Sequence, residues 1–349
     1  MKIYSYKIKI NNDFQKDIQS YPFINSKDKK INDQVINYLK SDDLEVNEKE
    51  IDNTKTIISW DNIDEKFSYE AFKEKIKNFN LENIISEKSI KNAYFRLNWK
   101  FEKINFNKKK ILSLGSGDGL ELIYLRIKFP ESEIYSVDWV DKIDPKLLSN
   151  LNIHFEKNSM YEYLKKNQNT FDFIYAGYVL EHSYEVNSLL KSISNSLVSG
   201  GIFACNIPLI SYYGTDYYDF LKKTFIDKKI NQIDGGLIDL GHPWKTNEHD
   251  LYETLKYNNF DQINIFGNIN NAAPAGRVKK SEFIKSSNYK FKLNSFFIKP
   301  FKLLINKLFG NNVNYLILKI YHRITRSIPF ADSRIANFVP DVLFIAKKL

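Results

Sequence analysis

The chain has 349 residues, 43% of them hydrophobic, a single cysteine and a formal net charge of +9. That length supports one large core with additions, while a lone thiol, Cys205 inside an apolar run, excludes a disulfide framework within the monomer and reads as buried and inert. No run reaches the ~18 uninterrupted apolar residues of a membrane span, and the opening MKIYSYKIKI alternates where a secretory leader would run apolar, so the expected setting is reducing and cytoplasmic.

Residues 1–107 are rich in Lys and Asn, with an opening strand and helical patterns near Tyr69–Phe79 and Ser86–Phe101. They read as an N-terminal extension whose later helices cover a cleft and whose first half is a cap. The apolar run Ile111–Leu114 then breaks into Gly115, Gly117 and Gly119, and a helical pattern follows over Leu120–Phe129. A strand turning straight into a helix passes through backbone angles that suit glycine, and the missing side chains let a ligand approach the main chain. A dinucleotide fingerprint would read G-x-G-x-x-G. Here the third glycine comes one position early, Leu120 stands where that pattern wants Gly, and the Asp118 carboxylate would repel a pyrophosphate. A cofactor without phosphates, carrying positive charge, suits the turn better.

Further along, Glu133–Val137 reads as a second strand ending at Asp138, about twenty residues past the glycines, where a carboxylate can accept from both hydroxyls of a ribose. Trp139 offers a flat face for an adenine. Asn152–Glu156 reads as a third strand and Phe171–Ala176 as a fourth, running into Gly177-Tyr178-Val179-Leu180-Glu181-His182. A helix over Asn187–Leu197 leads to Ser199-Gly200-Gly201, read as a C-cap and turn, and then to a strand over Ile202–Ile207. Strands alternate with helices throughout, the pattern of an α/β fold.

LSLGSGDG after the first strand, YSVDW after the second, FDFIYAGYVLEH at the fourth and LVSGGIFACNIP at the fifth, in this order and spacing, resemble the class I methyltransferases that use S-adenosylmethionine. The resemblance covers roughly Lys108–Gly267 and a last strand at Asp341–Lys347. It implies a Rossmann-like α/β fold: a seven-stranded, mostly parallel sheet flanked by helices, with an N-terminal extension and a basic helical insertion before the last strand. The corresponding division is 1–107 for the extension, 108–269 for the core, 270–338 for the insertion and 339–349 for the final strand.

Carried over residue by residue, the resemblance puts Gly115, Gly117 and Gly119 around the amino-acid part of S-adenosylmethionine and Asp138 on its ribose. Trp139 would lie against the adenine, with Ser159 and Met160 at its edge; Ala176, Gly177 and Tyr178 would line the methionine end. The family usually has Asp where Ser159 stands, so a hydroxyl, or the neighbouring Asn158, must do that hydrogen bonding.

Between Phe283 and Ala331 lie Lys285, Lys290, Lys292, Lys299, Lys302, Lys307, Lys319, Arg323 and Arg326, with no acid among them; these nine cations equal the net charge of the whole chain. Phe301, Leu304, Ile305 and Leu308 recur at helical spacing after Pro300, and Val313, Leu316, Ile320 and Ile324 repeat the pattern after Gly310. Two amphipathic helices with cationic faces are expected over 294–327. They pack on the core or on a second copy of the chain, as in a homodimer, or lie peripherally on an anionic membrane surface at the inner face. Nucleic acid is disfavoured, since the cations alternate with Leu and Ile more than with stacking aromatics.

After the fifth strand, Ser211–Phe220 holds four tyrosines and Gly241–Thr246 holds His242 and Trp244, aromatic faces that suit a sugar or nucleotide-sugar in an acceptor pocket. A sulfonium methyl is already activated, so transfer needs mainly alignment, and a hydroxyl acceptor also needs a base. Among the five histidines, His182 after the fourth strand and His242 in the later loop are the candidates. No His/Cys/carboxylate spacing indicates zinc and no metal site is assigned, the alternative being a divalent ion held by Asp216 and Asp219 with a third ligand. The function expected is O-methylation of a small or lipid-linked acceptor in surface glycan or glycoconjugate biosynthesis. The alternatives are methylation of a quinone-like lipid ring, an NAD-dependent oxidoreductase, and a non-catalytic cofactor-binding protein.

Overall fold

The computed structural model describes residues 2–8, 44–50, 58–61, 67–106, 108–183, 185–209, 244–268 and 341–349. The aromatic loop at 211–220, His242 and the basic helices expected over 294–327 lie outside the described residues. The chain divides into two compact units: one comprises 1–56, 208–247 and 267–341, and the other 57–207, 248–266 and 342–349. In the first, β1 (Lys2–Ile8) pairs antiparallel with β2 (Leu44–Glu50) on one side and with the short β9 (Trp244–Lys245) on the other.

The second unit carries the glycine turn. Its first strand, β3 (Ile58–Asp61), is followed by two helices, α1 (Tyr69–Asn78) and α2 (Glu87–Lys103). Serine starts each helix: Ser68 accepts from Ala71 N–H at 3.2 Å and Ser86 from Ser89 N–H at 3.2 Å. Glu in each first turn and Lys in each last turn complement the helix dipoles. Then strands and helices alternate: β4 (Lys110–Leu114), α3 (Leu120–Lys128), β5 (Glu133–Asp138), α4 (Pro145–Asn150), β6 (Ile153–Lys157), α5 (Met160–Lys166), β7 (Phe171–Gly177), α6 (Val186–Ser196), β8 (Leu197–Pro208). The helix α7 (Glu248–Tyr257) precedes β10 (Phe260–Asn268), and β11 (Asp341–Lys348) ends the chain.

The sheet order is β3-β10-β11-β8-β7-β4-β5-β6, eight strands. Seven form the expected Rossmann-like sheet, and β3 adds an eighth at its edge. The run β6-β5-β4-β7-β8 pairs in parallel throughout. One expectation is corrected here: Ser199-Gly200-Gly201 is not a turn between helix and strand but lies inside β8. Phe171 pairs with Leu197 and Phe173 with Ile202, so the extra residues are absorbed as a bulge, with Gly200 at φ +70°.

The helices α1 and α2 pack into this core. Phe72 of α1 stacks on Tyr124 of α3 at 4.6 Å between ring centroids, Phe101 of α2 stacks on the same tyrosine at 5.1 Å, and Phe101 meets Tyr175 of β7 at 5.0 Å. Tyr94 donates to the Phe67 carbonyl at 2.7 Å, fastening the entry to α1. These rings are almost fully buried, and each contributes well over 1 kcal/mol of burial, roughly.

Arg126 near the end of α3 is a buried clamp. Its guanidinium donates to the carbonyls of Leu151 (2.7 Å), Phe129 (3.3 Å), Pro130 (2.8 Å), Ser132 (2.9 Å) and Asn152 (2.8 Å), tying α3 to the segments before β5 and β6. Because removing it strands five acceptors, Arg126→Met is expected to destabilise the protein by about 3 kcal/mol in denaturant titration. An unchanged midpoint would contradict the clamp.

Candidate functional site

At the C-terminal end of β4 the chain enters the turn with left-handed φ at Gly115 (+66°), Gly117 (+55°) and Gly119 (+79°). The three are glycine for different reasons. A Cβ on Gly115 would run into the Val179 side chain and one on Gly119 would press on Ile143, whereas a Cβ on Gly117 would meet nothing within 4 Å. Gly117 therefore presents bare backbone to open space.

Asp138, at the end of the neighbouring strand β5, holds the turn in place. Its Oδ2 accepts from Gly117 N–H at 2.9 Å and its Oδ1 from Val140 N–H at 3.0 Å, with the side chain buried. Each oxygen keeps a lone pair for a hydroxyl donor. The hydroxyls of Ser116 and Ser136 meet at 2.5 Å, a second tie between turn and strand. Beside this carboxylate, Trp139 is 43% exposed, an unusual position for an indole and a ready stacking face.

The end of β6 joins the same edge through Asn158, whose N–H donates to the Asp138 carbonyl at 3.0 Å. Its side chain is engaged twice, accepting from Ser159 N–H at 2.7 Å and donating to Glu156 at 2.8 Å. Of the two candidates for a polar contact there, the Ser159 hydroxyl is the one left over: Ser159 starts α5 without a side-chain bond to the helix, and Met160 follows.

On the other side of β4, the end of β7 brings Ala176, Gly177 and Tyr178. Tyr178 is strained, at φ +59°, an uncommon conformation for a bulky residue. Its N–H donates to the Asn206 carbonyl at 3.0 Å and its hydroxyl accepts from Lys100 Nζ at 2.7 Å, with Lys100 fully buried. The Arg96 guanidinium lies 5.8 Å from the centre of the same ring. Beneath, Asn206 donates to Tyr175 Oη at 2.6 Å.

His182 closes a short helical turn at Leu180–His182 and is exposed; the next residue, Ser183, shares a hydrogen bond with Tyr161 at 2.9 Å. Cys205 is buried on β8 as its apolar run predicts, with its thiol pushed well up by burial. Among the described residues, no group of three or more His, Cys, Asp or Glu could hold a metal ion, and no helix is long and apolar enough to cross a membrane.

Lys100 and Arg96 at Tyr178 escaped the sequence reading, and so did a buried acid. Glu121, in the first turn of α3, is 8% exposed, and its Oε1 accepts from Ser113 Oγ at 2.7 Å. Burial pushes its carboxyl from 4.5 up to about 8, with Asp118 and Asp138 adding to the rise and Ser113 and Arg96 opposing it. A Cβ on Gly177 would fall on this carboxyl, so the missing side chain leaves Glu121 its place at the end of β7.

The arrangement is an open-sided turn, a buried carboxylate and an exposed indole on one flank of β4, and small residues with a strained tyrosine on the other. It lies outside the carboxyl ends of parallel strands, at the point where the chain order reverses from β5 to β7. It suits a ligand carrying vicinal hydroxyls and a flat ring at one end.

The methyltransferase domain family matches residues 88–264. No curated protein matches the chain. Among solved structures, a phosphoethanolamine N-methyltransferase 2 from Haemonchus contortus, in complex with phosphomonomethylethanolamine and S-adenosylhomocysteine, is similar at 13% identity and a TM-score of 0.42, over 81% of this chain and 58% of that one. The chain thus spans a little over half the length of that enzyme. A putative sarcosine dimethylglycine methyltransferase from Galdieria sulphuraria is similar at 16% identity and a TM-score of 0.43, over 79% of this chain and 98% of that one. With the family match spanning α2 to β10 and the sheet order found above, the chain belongs to the methyltransferase domain family and has the Rossmann-like fold of class I S-adenosylmethionine-dependent methyltransferases.

Proposed function

We propose that this chain transfers a methyl group from S-adenosylmethionine to a small or lipid-linked acceptor, and that the atom methylated is a sugar oxygen in a surface glycan or glycoconjugate. The observation that carries the donor half is the open Gly117 held 2.9 Å from the buried Asp138 carboxylate beside an exposed Trp139. In this reading Gly115, Gly117 and Gly119 surround the amino-acid part of the donor and Asp138 accepts from the ribose hydroxyls. Trp139 lies on the adenine, Ser159 and Met160 meet its edge, and Ala176, Gly177 and Tyr178 line the methionine end. When bound, the donor supplies a methyl already activated on a sulfonium. The task of the chain is then to hold acceptor and methyl in line, worth far more than any single group.

A sugar hydroxyl must also lose its proton. In this reading the base is His182, exposed on the turn after β7, or His242. The acceptor half rests on the sequence: the tyrosines of 211–220 and Trp244 suit sugar faces, and the cationic stretch 294–327 suits an anionic membrane on which lipid-linked sugars are presented.

With donor labelled in the methyl group, Asp138→Ala is expected to weaken donor binding about 10- to 100-fold. His182→Ala should lower kcat about 100-fold or more and leave donor affinity unchanged. Unaltered affinity in the first, or unaltered turnover in the second, would remove that residue from its role. Label recovered in a glycan supports the acceptor assignment; label recovered only in a quinone-like ring overturns it. For the membrane contact, Lys302→Glu with Lys307→Glu should reduce flotation with anionic vesicles, and failure of the unaltered chain to float would sink the idea.

A further inference from the structure

Glu121 is a carboxyl with no part in the reading above, yet it is built into the wall of the site. It projects from the first turn of α3 and is 8% exposed; one oxygen is held by Ser113 Oγ at 2.7 Å, and the other occupies the space that a side chain on Gly177 would take, at the strand end assigned to the methionine end of the donor. We propose that Glu121 reads the charge of the cofactor: it gives up its proton to solvent when the cationic donor binds, and so favours the sulfonium over the neutral thioether product. This rests on the donor-site reading of the previous section.

The physical argument is linkage. Burial is the largest influence on this carboxyl, and it keeps the group protonated up to about pH 8 in the free protein. The charged and titratable groups that face it are Arg96 from α2, which favours ionisation, and Asp118 from the turn and Asp138 from β5, which oppose it. Ser113 from β4 hydrogen-bonds the ionised form, and Cys205 on β8, within electrostatic reach, is kept neutral by its own burial. A sulfonium placed beside Gly177 introduces a positive charge into this poorly solvated corner, where a charge pair interacts strongly. That charge lowers the carboxyl's affinity for its proton, and by reciprocity ionised Glu121 strengthens binding of the cation.

No bond forms to the ligand; the carboxyl O–H ionises and the proton passes to solvent. Methyl transfer converts the sulfonium into a neutral thioether. The attraction then ends, Glu121 takes a proton back, and the product is held less tightly than the donor. The sign of the pH dependence follows. Donor affinity rises with pH while Glu121 is still protonated in the free protein and levels off above about pH 8. Affinity for the thioether product lacks this component.

The test is calorimetric titration of the full chain with S-adenosylmethionine and S-adenosylhomocysteine from pH 6 to 9, in buffers of differing ionisation enthalpy. The ligand's own ammonium titrates equally in wild type and variant, so the comparison with Glu121→Gln isolates the carboxyl. Wild type is expected to release more protons on binding the donor than Glu121→Gln does, and its preference for donor over product should rise about tenfold from pH 6 to 9. In Glu121→Gln that preference should lose its rise. Ser113→Ala, which removes a bond favouring the ionised form, should move the rise to higher pH. Equal proton release and the same preference curve in wild type and Glu121→Gln would overturn the proposal while leaving the donor site intact. Failure of wild type to bind either ligand would overturn the donor-site reading and this proposal with it.

Discussion

The two oxygens of Asp138 accept N–H groups from either side, Gly117 in the turn after β4 and Val140 beyond β5, and the rest of the site depends on that pairing. It joins the ends of two adjacent parallel strands through one buried carboxylate. The turn can then remain in left-handed backbone with an open flank, although nothing packs beside Gly117. Without that anchor the Gly117 amide would lose its fixed partner, and the open flank of the turn would present a less defined pattern to a ligand.

Rigidity reaches the same edge from below through aromatic packing. Phe72, Tyr124 and Phe101 stack in turn and Phe101 meets Tyr175 at a tilt, a continuous series of ring contacts from α1 to β7 that Asn206 joins through the Tyr175 hydroxyl at 2.6 Å. The helix α2 is therefore part of the platform, which is why Arg96 and Lys100 can be brought to Tyr178. The strain of Tyr178 at φ +59° is stored where the site needs a fixed wall, and the Lys100 and Asn206 contacts hold it there.

Much of this was legible in the sequence because glycine, alternation and chain order report directly on backbone geometry. The turn at Gly115–Gly119, Asp138 at the end of β5 and the order of strands from β4 to β8 all follow from such signals. Other features depend on packing that no local pattern encodes. Ser199-Gly200-Gly201 carries the chemistry of a turn but is absorbed into β8 as a bulge, since the strand continues on both sides of it. The edge strand β3 is only four residues long, too short for its alternation to stand out. Glu121 reads by type as a helix surface residue, and Lys100 as a cation of the last turn. The available clue was LELIYL, apolar nearly all round, which marks a helix buried on every face and makes any acid within it a buried one.

The central claim is that this edge of the sheet takes S-adenosylmethionine rather than a dinucleotide. Equilibrium titration of the full chain with S-adenosylhomocysteine and with NADH measures it directly. Saturable, stoichiometric binding of S-adenosylhomocysteine with no binding of NADH is the result the account predicts. Tight binding of NADH with indifference to S-adenosylhomocysteine would contradict it.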